Sequence, residues 1–133
     1  TARALRDGWL WTGDLGYLDE DGYLTVLDRR DDLIVTGGEN VYPAEVEAVL
    51  LAHPAVAEAA VVGIPDVEWG QRVVAAVVLR PGATVRAADL ASWCRERLAG
   101  YKVPRAFRFV SELPRTESGK VQRWAVRQAW NAE

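Results

Sequence analysis

Methionine is missing from the sequence, cysteine and histidine occur once each, and neither sign of charge dominates. A single thiol, Cys94, excludes an intrachain disulfide, and with His53 as the one histidine there is no CxxC pair or His/Cys cluster at metal-ligand spacing. Sixteen Lys and Arg against nineteen Asp and Glu leave a formal charge of −3. That balance gives no concentrated basic face for nucleic acid or a membrane surface, so any anion site has to be local. No apolar run approaches the roughly 20 residues of a spanning helix, and the first residues lack the basic-then-apolar order of a signal peptide. No membrane span is expected, and cytoplasmic residence fits. The lack of any methionine, initiator included, predicts a piece of something larger.

What is present suits one packed domain with a tail: 133 residues, half of them apolar and about a quarter charged. Turn chemistry fills the first 27 residues. Asp19-Glu-Asp-Gly22 leading into Tyr23-Leu-Thr-Val-Leu27 predicts a β-hairpin. Residues 32–36 predict a short strand closed by Gly37-Gly38, two glycines that permit positive φ and close approach of backbone to a ligand. From Pro43 the period becomes helical, with Val46, Val49, Leu50 and His53 on one face, glutamates in the first turn and Pro54 ending the helix. Val56–Ile64 and Arg72–Leu79 predict two strands joined by the turn-bearing Pro65-Asp-Val-Glu-Trp-Gly70. Thr84 or Asp89 starts a further helix that runs to about Ala99 and stops at Gly100. Ala106–Val110 predicts another strand and Val121–Trp130 a last helix. The order is α+β, a small sheet with helices packed on it and a β-hairpin in front.

Several polar side chains have structural readings. Cys94 shares a helix face with Leu90, Trp93 and Leu98 and is expected to be a core thiol. His53 fits a helix-terminal capping role better than general-base work. Trp9, Trp11, Trp124 and Trp130 are assigned to packing, including contact with residues outside this chain.

Three segments stand apart: Thr12-Gly-Asp-Leu-Gly16, Asp28-Arg-Arg-Asp-Asp-Leu-Ile-Val-Thr-Gly-Gly-Glu-Asn-Val-Tyr-Pro43, and Leu113-Pro-Arg-Thr-Glu-Ser-Gly-Lys-Val-Gln-Arg123. Asp14 lies between glycines, where its carboxylate either closes an Asx-turn or accepts two hydrogen bonds from a vicinal diol. Lys120 follows a glycine turn and precedes a helical run, so it is either a solvated surface lysine or a long cation delivered to a phosphate. Trp69 reads as partly buried beside its turn. Lys102 and Arg105 are a small basic patch or a solvated strand start.

In this order and spacing the three segments resemble the carboxy-terminal end of adenylate-forming enzymes: acyl- and aryl-CoA ligases, peptide-synthetase adenylation domains and beetle luciferases. Leu27-Asp-Arg-Arg and Thr36-Gly-Gly-Glu-Asn-Val-Tyr-Pro-Ala-Glu-Val-Glu47 are similar to the CoA ligases, o-succinylbenzoate-CoA ligases included. The resemblance implies that residues 1–27 end a large amino-terminal AMP-binding domain, that 28–32 are a hinge pivoting at Asp31, and that 33–133 form a mobile carboxy-terminal domain. It implies that Asp14 and Arg29 hold the nucleotide and that Lys120 stabilises charge on the α-phosphate while a carboxylic acid is adenylated. After rotation, Gly37, Gly38 and Trp69 line the pantetheine path and Lys102 and Arg105 meet CoA phosphates. ATP and CoA are the implied cosubstrates, with Mg2+ carried on ATP by ligands in the amino-terminal domain; no metal site is expected in this chain. The alternatives are an adenylation domain loading a carrier protein, and a non-catalytic binding module. A module that only binds needs no simultaneous Lys120, Asp31 and Asp14.

Overall fold

The computed structural model describes residues 32–131 and, ahead of them, the strands at 5–6, 9–10, 14–18 and 24–29. Strands β1 (Leu5–Arg6) and β2 (Trp9–Leu10) pair antiparallel, as do β3 (Asp14–Leu18) and β4 (Leu24–Arg29). The second pair is the hairpin expected from the Asp-Gly signal. Its register sets Asp14 opposite Arg29 and shifts between Leu15 and Gly16.

Next comes a tight hairpin of β5 (Ile34–Thr36) and β6 (Glu39–Val41). Gly37 and Gly38 occupy its two-residue loop with φ of 58° and 83°. Positive φ at both central residues gives a turn whose twist matches that of the strands, and glycine adopts it at little steric cost. The glycines therefore join two strands where the sequence suggested the end of one. Asn40 and Val41 did not register as a strand because three residues are too few to show a period.

Helix α1 (Pro43–Leu51) starts with proline at its first turn and buries Pro43, Val46 and Leu50. It stops two residues before His53, so that ring is not on the helical face. Strands β7 (Val56–Asp66) and β8 (Gly70–Leu79) form a long antiparallel pair, and β9 (Ala106–Phe109) lies parallel to β8, giving the mixed three-stranded order β7-β8-β9. The parallel step needs a crossover, which α2 (Ala87–Arg95) supplies. Asp89 sits inside this helix, where its carboxylate accepts the Arg86 N–H at 3.4 Å. The helix ends at Arg95, short of Gly100, which opens a separate 3-10 turn over Gly100–Lys102. Helix α3 (Arg123–Asn131) closes the described chain.

The valine and alanine runs of β7 and β8 are explained by burial on both faces. Val73, Ala75 and Val77 point with Val61 into a core shared by Ile34, Val46, Leu50, Leu90 and Cys94. Val74, Ala76 and Val78 point with Ala60, Val62 and Ile64 to Leu113, Val126 and Trp130. Alternate residues of a strand face opposite sides, so a sheet covered on both sides loses polar alternation. With both faces apolar, patterning alone does not lock the β7–β8 register; the turn does. There the Asp66 carboxylate accepts N–H bonds from Glu68 at 2.8 Å and Trp69 at 2.9 Å through one oxygen.

Candidate functional site

Lys120 lies on a turn pinned from several directions. Arg115 and Val121 form a bridge across its base, and the Gln122 N–H donates to the Pro114 carbonyl at 2.9 Å. Within the turn, the Thr116 N–H donates to Lys120 O at 2.8 Å, and Thr116 Oγ1 accepts the Lys120 N–H at 3.1 Å. The Gly119 N–H donates to Thr116 O at 2.9 Å, and Gly119 O accepts Arg115 Nη1 at 2.7 Å. Arg115 also pairs with Glu58 at the start of β7. Gly119 has φ of 90°, a conformation that side chains rarely adopt. The backbone is thus fixed while the Lys120 side chain stays exposed, an arrangement that aims a flexible cation from a rigid base.

That turn borders a cleft of about 710 Å³ lined by Asp32, Glu47, Ala59, Lys120, Arg123 and Trp124, among others. At its floor, Arg123 donates to Glu47 through Nε at 2.9 Å and Nη2 at 2.6 Å, and to Asp32 through Nη1 at 3.0 Å. Glu47 Oε2 also accepts the Val61 N–H of β7 at 2.9 Å, and Arg127 Nη2 lies 3.9 Å from Asp32 Oδ1. These carboxylates are 14% exposed and Arg123 is 18% exposed. In the sequence Asp32 belongs to a polar segment between strands and Glu47 to the acids of a helix start. The partners are 76 and 91 residues from Arg123, so no local pattern pairs them, although all three residues fall in the segments that carry the family resemblance.

The second group of candidates lies at the far end of β7. The Gly37 N–H donates to Trp69 O at 2.9 Å, and a Cβ on Gly37 would stand 2.7 Å from the Trp69 ring. Arg105 places its guanidinium 4.9 Å from the centre of the same ring. Trp69 remains 40% exposed: the ring packs against Gly37 and part of it stays open. The two backbone N–H donors, of Trp69 first and then Glu68, hold the Asp66 carboxyl below its ordinary pKa, with Arg72 and Arg105 adding to the effect. Gly38 is exposed and has open space where a Cβ would be.

Lys102 stands apart from Arg105 in its partners. Its ammonium donates to both Glu45 oxygens, at 2.9 and 3.1 Å, and that hydrogen bond raises its pKa above the ordinary lysine value. The expected two-residue basic patch is therefore divided between a carboxylate and an aromatic ring.

The structure brings Gly37, Trp69 and Arg105 together and separates them from Lys120. Ala59, which lines the same cleft as the lysine, and Asp66, whose carboxylate accepts the Trp69 N–H, are about 24 Å apart along β7 at roughly 3.4 Å per residue. Asp31 lies outside the described residues. Asp14 and Arg29 are placed by backbone alone, as cross-strand partners.

Other candidates take structural places. Cys94 is fully buried, and that burial pushes its thiol up to about 11. His53 Nδ1 accepts the Ala55 N–H at 3.0 Å while its ring meets Trp93 edge-on at 4.8 Å. Trp130 packs in the core under Arg108. Trp124 is 54% exposed, so packing among the described residues does not account for it. Trp9 and Trp11 have no described side chains. Among the described residues, no group of three His, Cys, Asp or Glu is placed to hold a metal ion, and no helix is long and apolar enough to cross a membrane.

Comparison with known proteins gives this geometry a family. The chain is 61% identical over 123 residues to the 2-succinylbenzoate--CoA ligase of Geobacillus kaustophilus, covering 92% of this chain and 25% of that protein. Among solved structures, ATP-bound MatB from Rhodopseudomonas palustris superposes with a TM-score of 0.88 at 43% identity, over 95% of this chain and 25% of that one. The o-succinylbenzoate CoA synthetase MenE from Bacillus subtilis, in complex with the acyl-adenylate intermediate OSB-AMP, gives 0.82 at 54% identity, over 93% and 25%. The chain thus spans about a quarter of the length of the curated relatives it matches. Residues 45–120, from the helix that carries Glu47 to the lysine on its pinned turn, match the model of the AMP-binding enzyme C-terminal domain, and the chain belongs to that family.

Proposed function

We propose that this chain is the C-terminal part of an ATP-dependent acid–CoA ligase that works in two half-reactions. In the first, a carboxylate oxygen of the acid attacks the α-phosphorus of ATP, forming acyl-AMP and expelling pyrophosphate. In the second, the CoA thiolate attacks the acyl carbonyl, the thioester forms and AMP leaves. Lys120 supplies positive charge to the phosphoryl oxygens in the first step. At 4 Å and an effective dielectric near 20, such a contact is worth about 4 kcal/mol before desolvation, nearly three decades in rate if made only in the transition state. Asp14 and Arg29 hold the nucleotide. The domain from residue 33 onward then turns about Asp31 and presents Gly37, Gly38 and Trp69 to the pantetheine arm, with Arg105 and Lys102 toward the CoA phosphates. Lys102 meets a phosphate only by sharing itself with Glu45, so Arg105 carries more of that contact.

The observation that supports this reading is the exposed Lys120 on its pinned turn, in a chain whose relatives at 55–61% identity are named as CoA ligases. Those names favour an aryl acid of the 2-succinylbenzoate kind over a fatty acid. Mg2+ accompanies ATP, with its ligands outside the described residues, and the reaction is cytoplasmic. The test is to incubate the protein that contains this chain with ATP, CoA and a panel of acids including 2-succinylbenzoate. AMP release with equimolar thioester is expected, and absence of AMP release with every acid overturns the reading.

A further inference from the structure

We propose that Arg123 is a positioning residue which makes the Lys120 turn follow the pivot; the proposal rests on the ligase reading above. The two functional ends of the domain are connected to residue 32 in different ways. Gly37 is five residues downstream of Asp32 and joined to it through β5, so the covalent chain carries the glycine hairpin wherever the pivot goes. Lys120 is 88 residues downstream of Asp32. Among the described residues its shortest side-chain link to that segment runs through Arg123, three residues beyond the lysine, whose Nη1 bonds Asp32 at 3.0 Å, with Arg127 Nη2 farther off at 3.9 Å from the same carboxylate.

The remaining contacts of Arg123 make that link stiff. Nε and Nη2 grip Glu47 of α1 bidentately, and Glu47 is itself bonded to the Val61 amide of the central sheet. A planar guanidinium with three donors engaged in fixed directions transmits orientation, which an ammonium on a single point contact does not. Helix stability does not explain a cation here. Arg123 occupies the first position of α3, the positive pole of the helix dipole, where arginine is disfavoured. The two little-exposed carboxylates offset that placement, and what they hold together is the pivot segment, the first helix and the lysine turn.

The consequence is an asymmetry between half-reactions. Loosening the clasp lets Lys120 lag behind the pivot by a fraction of its reach, while the Gly37 hairpin is still led by backbone. A misplacement near 1 Å costs on the order of 100-fold in a step that depends on alignment.

The experiment uses the full-length ligase with Arg123→Lys, which keeps the charge and loses the fork, and Asp32→Ala, which leaves the Arg123–Glu47 pair intact as a safeguard for folding. ATP–pyrophosphate exchange reports the first half-reaction, and thioester formation from supplied acyl-adenylate reports the second. Expected is a loss of about 10- to 100-fold in exchange with less than about threefold change in thioester formation for both variants. The double variant should lose much less than the product of the two single losses, since both break one link. Equal losses in the two half-reactions, a loss confined to thioester formation, or no change in Asp32→Ala overturns the assignment while the ligase reading stands. A wild-type enzyme with no exchange activity for any acid overturns both.

Discussion

The two ends of β7 carry their candidate residues by opposite means. Around Lys120, hydrogen bonds and ion pairs fix the backbone and the side chain is left at liberty. Around Gly37, side chains are absent or packed: a bare backbone lies against the Trp69 ring and Arg105 covers that ring. A charge that must reach into a reaction needs reach and a firm root, whereas a wall for a thin substrate arm needs close approach and flatness. On the proposed reading one sheet, buried on both faces, carries both.

Breaking the lysine end should give the largest effect. On the proposed reading, Lys120→Ala lowers ATP–pyrophosphate exchange by about 100- to 1,000-fold, in line with a contact of about 4 kcal/mol reduced by desolvation. Thioester formation from supplied acyl-adenylate stays near wild type, and an equal fall in both would contradict the division of labour. At the other end, Trp69→Ala removes the surface on which Gly37 and Arg105 rest. An aromatic contact of about 0.5–1.5 kcal/mol corresponds to a roughly 2- to 12-fold loss in kcat/KM for CoA, with exchange unchanged. A drop in exchange as large as the drop in thioester formation would mean that the ends are not separable.

The comparison sharpens with pH. Asp66 has its folded pKa lowered by the Trp69 and Glu68 amides, so its contribution is present in full above the unfolded carboxylate value of about 4 and is lost as pH falls through the lowered folded value. Amide protection at Glu68 and Trp69 should fall below pH about 4 before that of the Lys120 turn, and simultaneous loss would show that Asp66 does not hold its end independently. The smallest effect belongs to Cys94. With its thiol pushed up to about 11 by burial, it should resist iodoacetamide at pH about 8 in the native protein and react on unfolding. Peptide mass spectrometry reads the difference, and native labelling would refute the sealed core.

Much of this was legible beforehand. Valine-rich runs at the lengths of strands, proline at the start of α1 and the glycine before Lys120 each state a local constraint, and the α+β order follows from them. The limits of α2 were less legible, because Thr84, Asp89 and Gly100 carry capping signals that compete with one another and the helix uses Asp89 from inside. His53 matched the helical period by position alone, and its ring bonds Ala55 beyond the helix. The motifs single out Lys120, Gly37 and Trp69; Trp69 is held by the nearby Asp66 carboxylate, whereas the Lys120 turn and Arg123 beyond it are held by pairs from distant chain: Glu58 and Arg115, Glu47 and Arg123, Asp32 and Arg123. Sequence periodicity reports neighbours within a turn or a strand, and it is silent about pairs that meet only after the sheet forms.

The distance between the lysine turn and the glycine hairpin has a mechanical corollary. On the proposed reading, two groups set about 24 Å apart along one strand take turns at a single reaction centre. The proposed enzyme then needs no messenger to keep its steps in order; the span of β7 serves as an interlock, and shortening that strand would be the way to let the two operations collide.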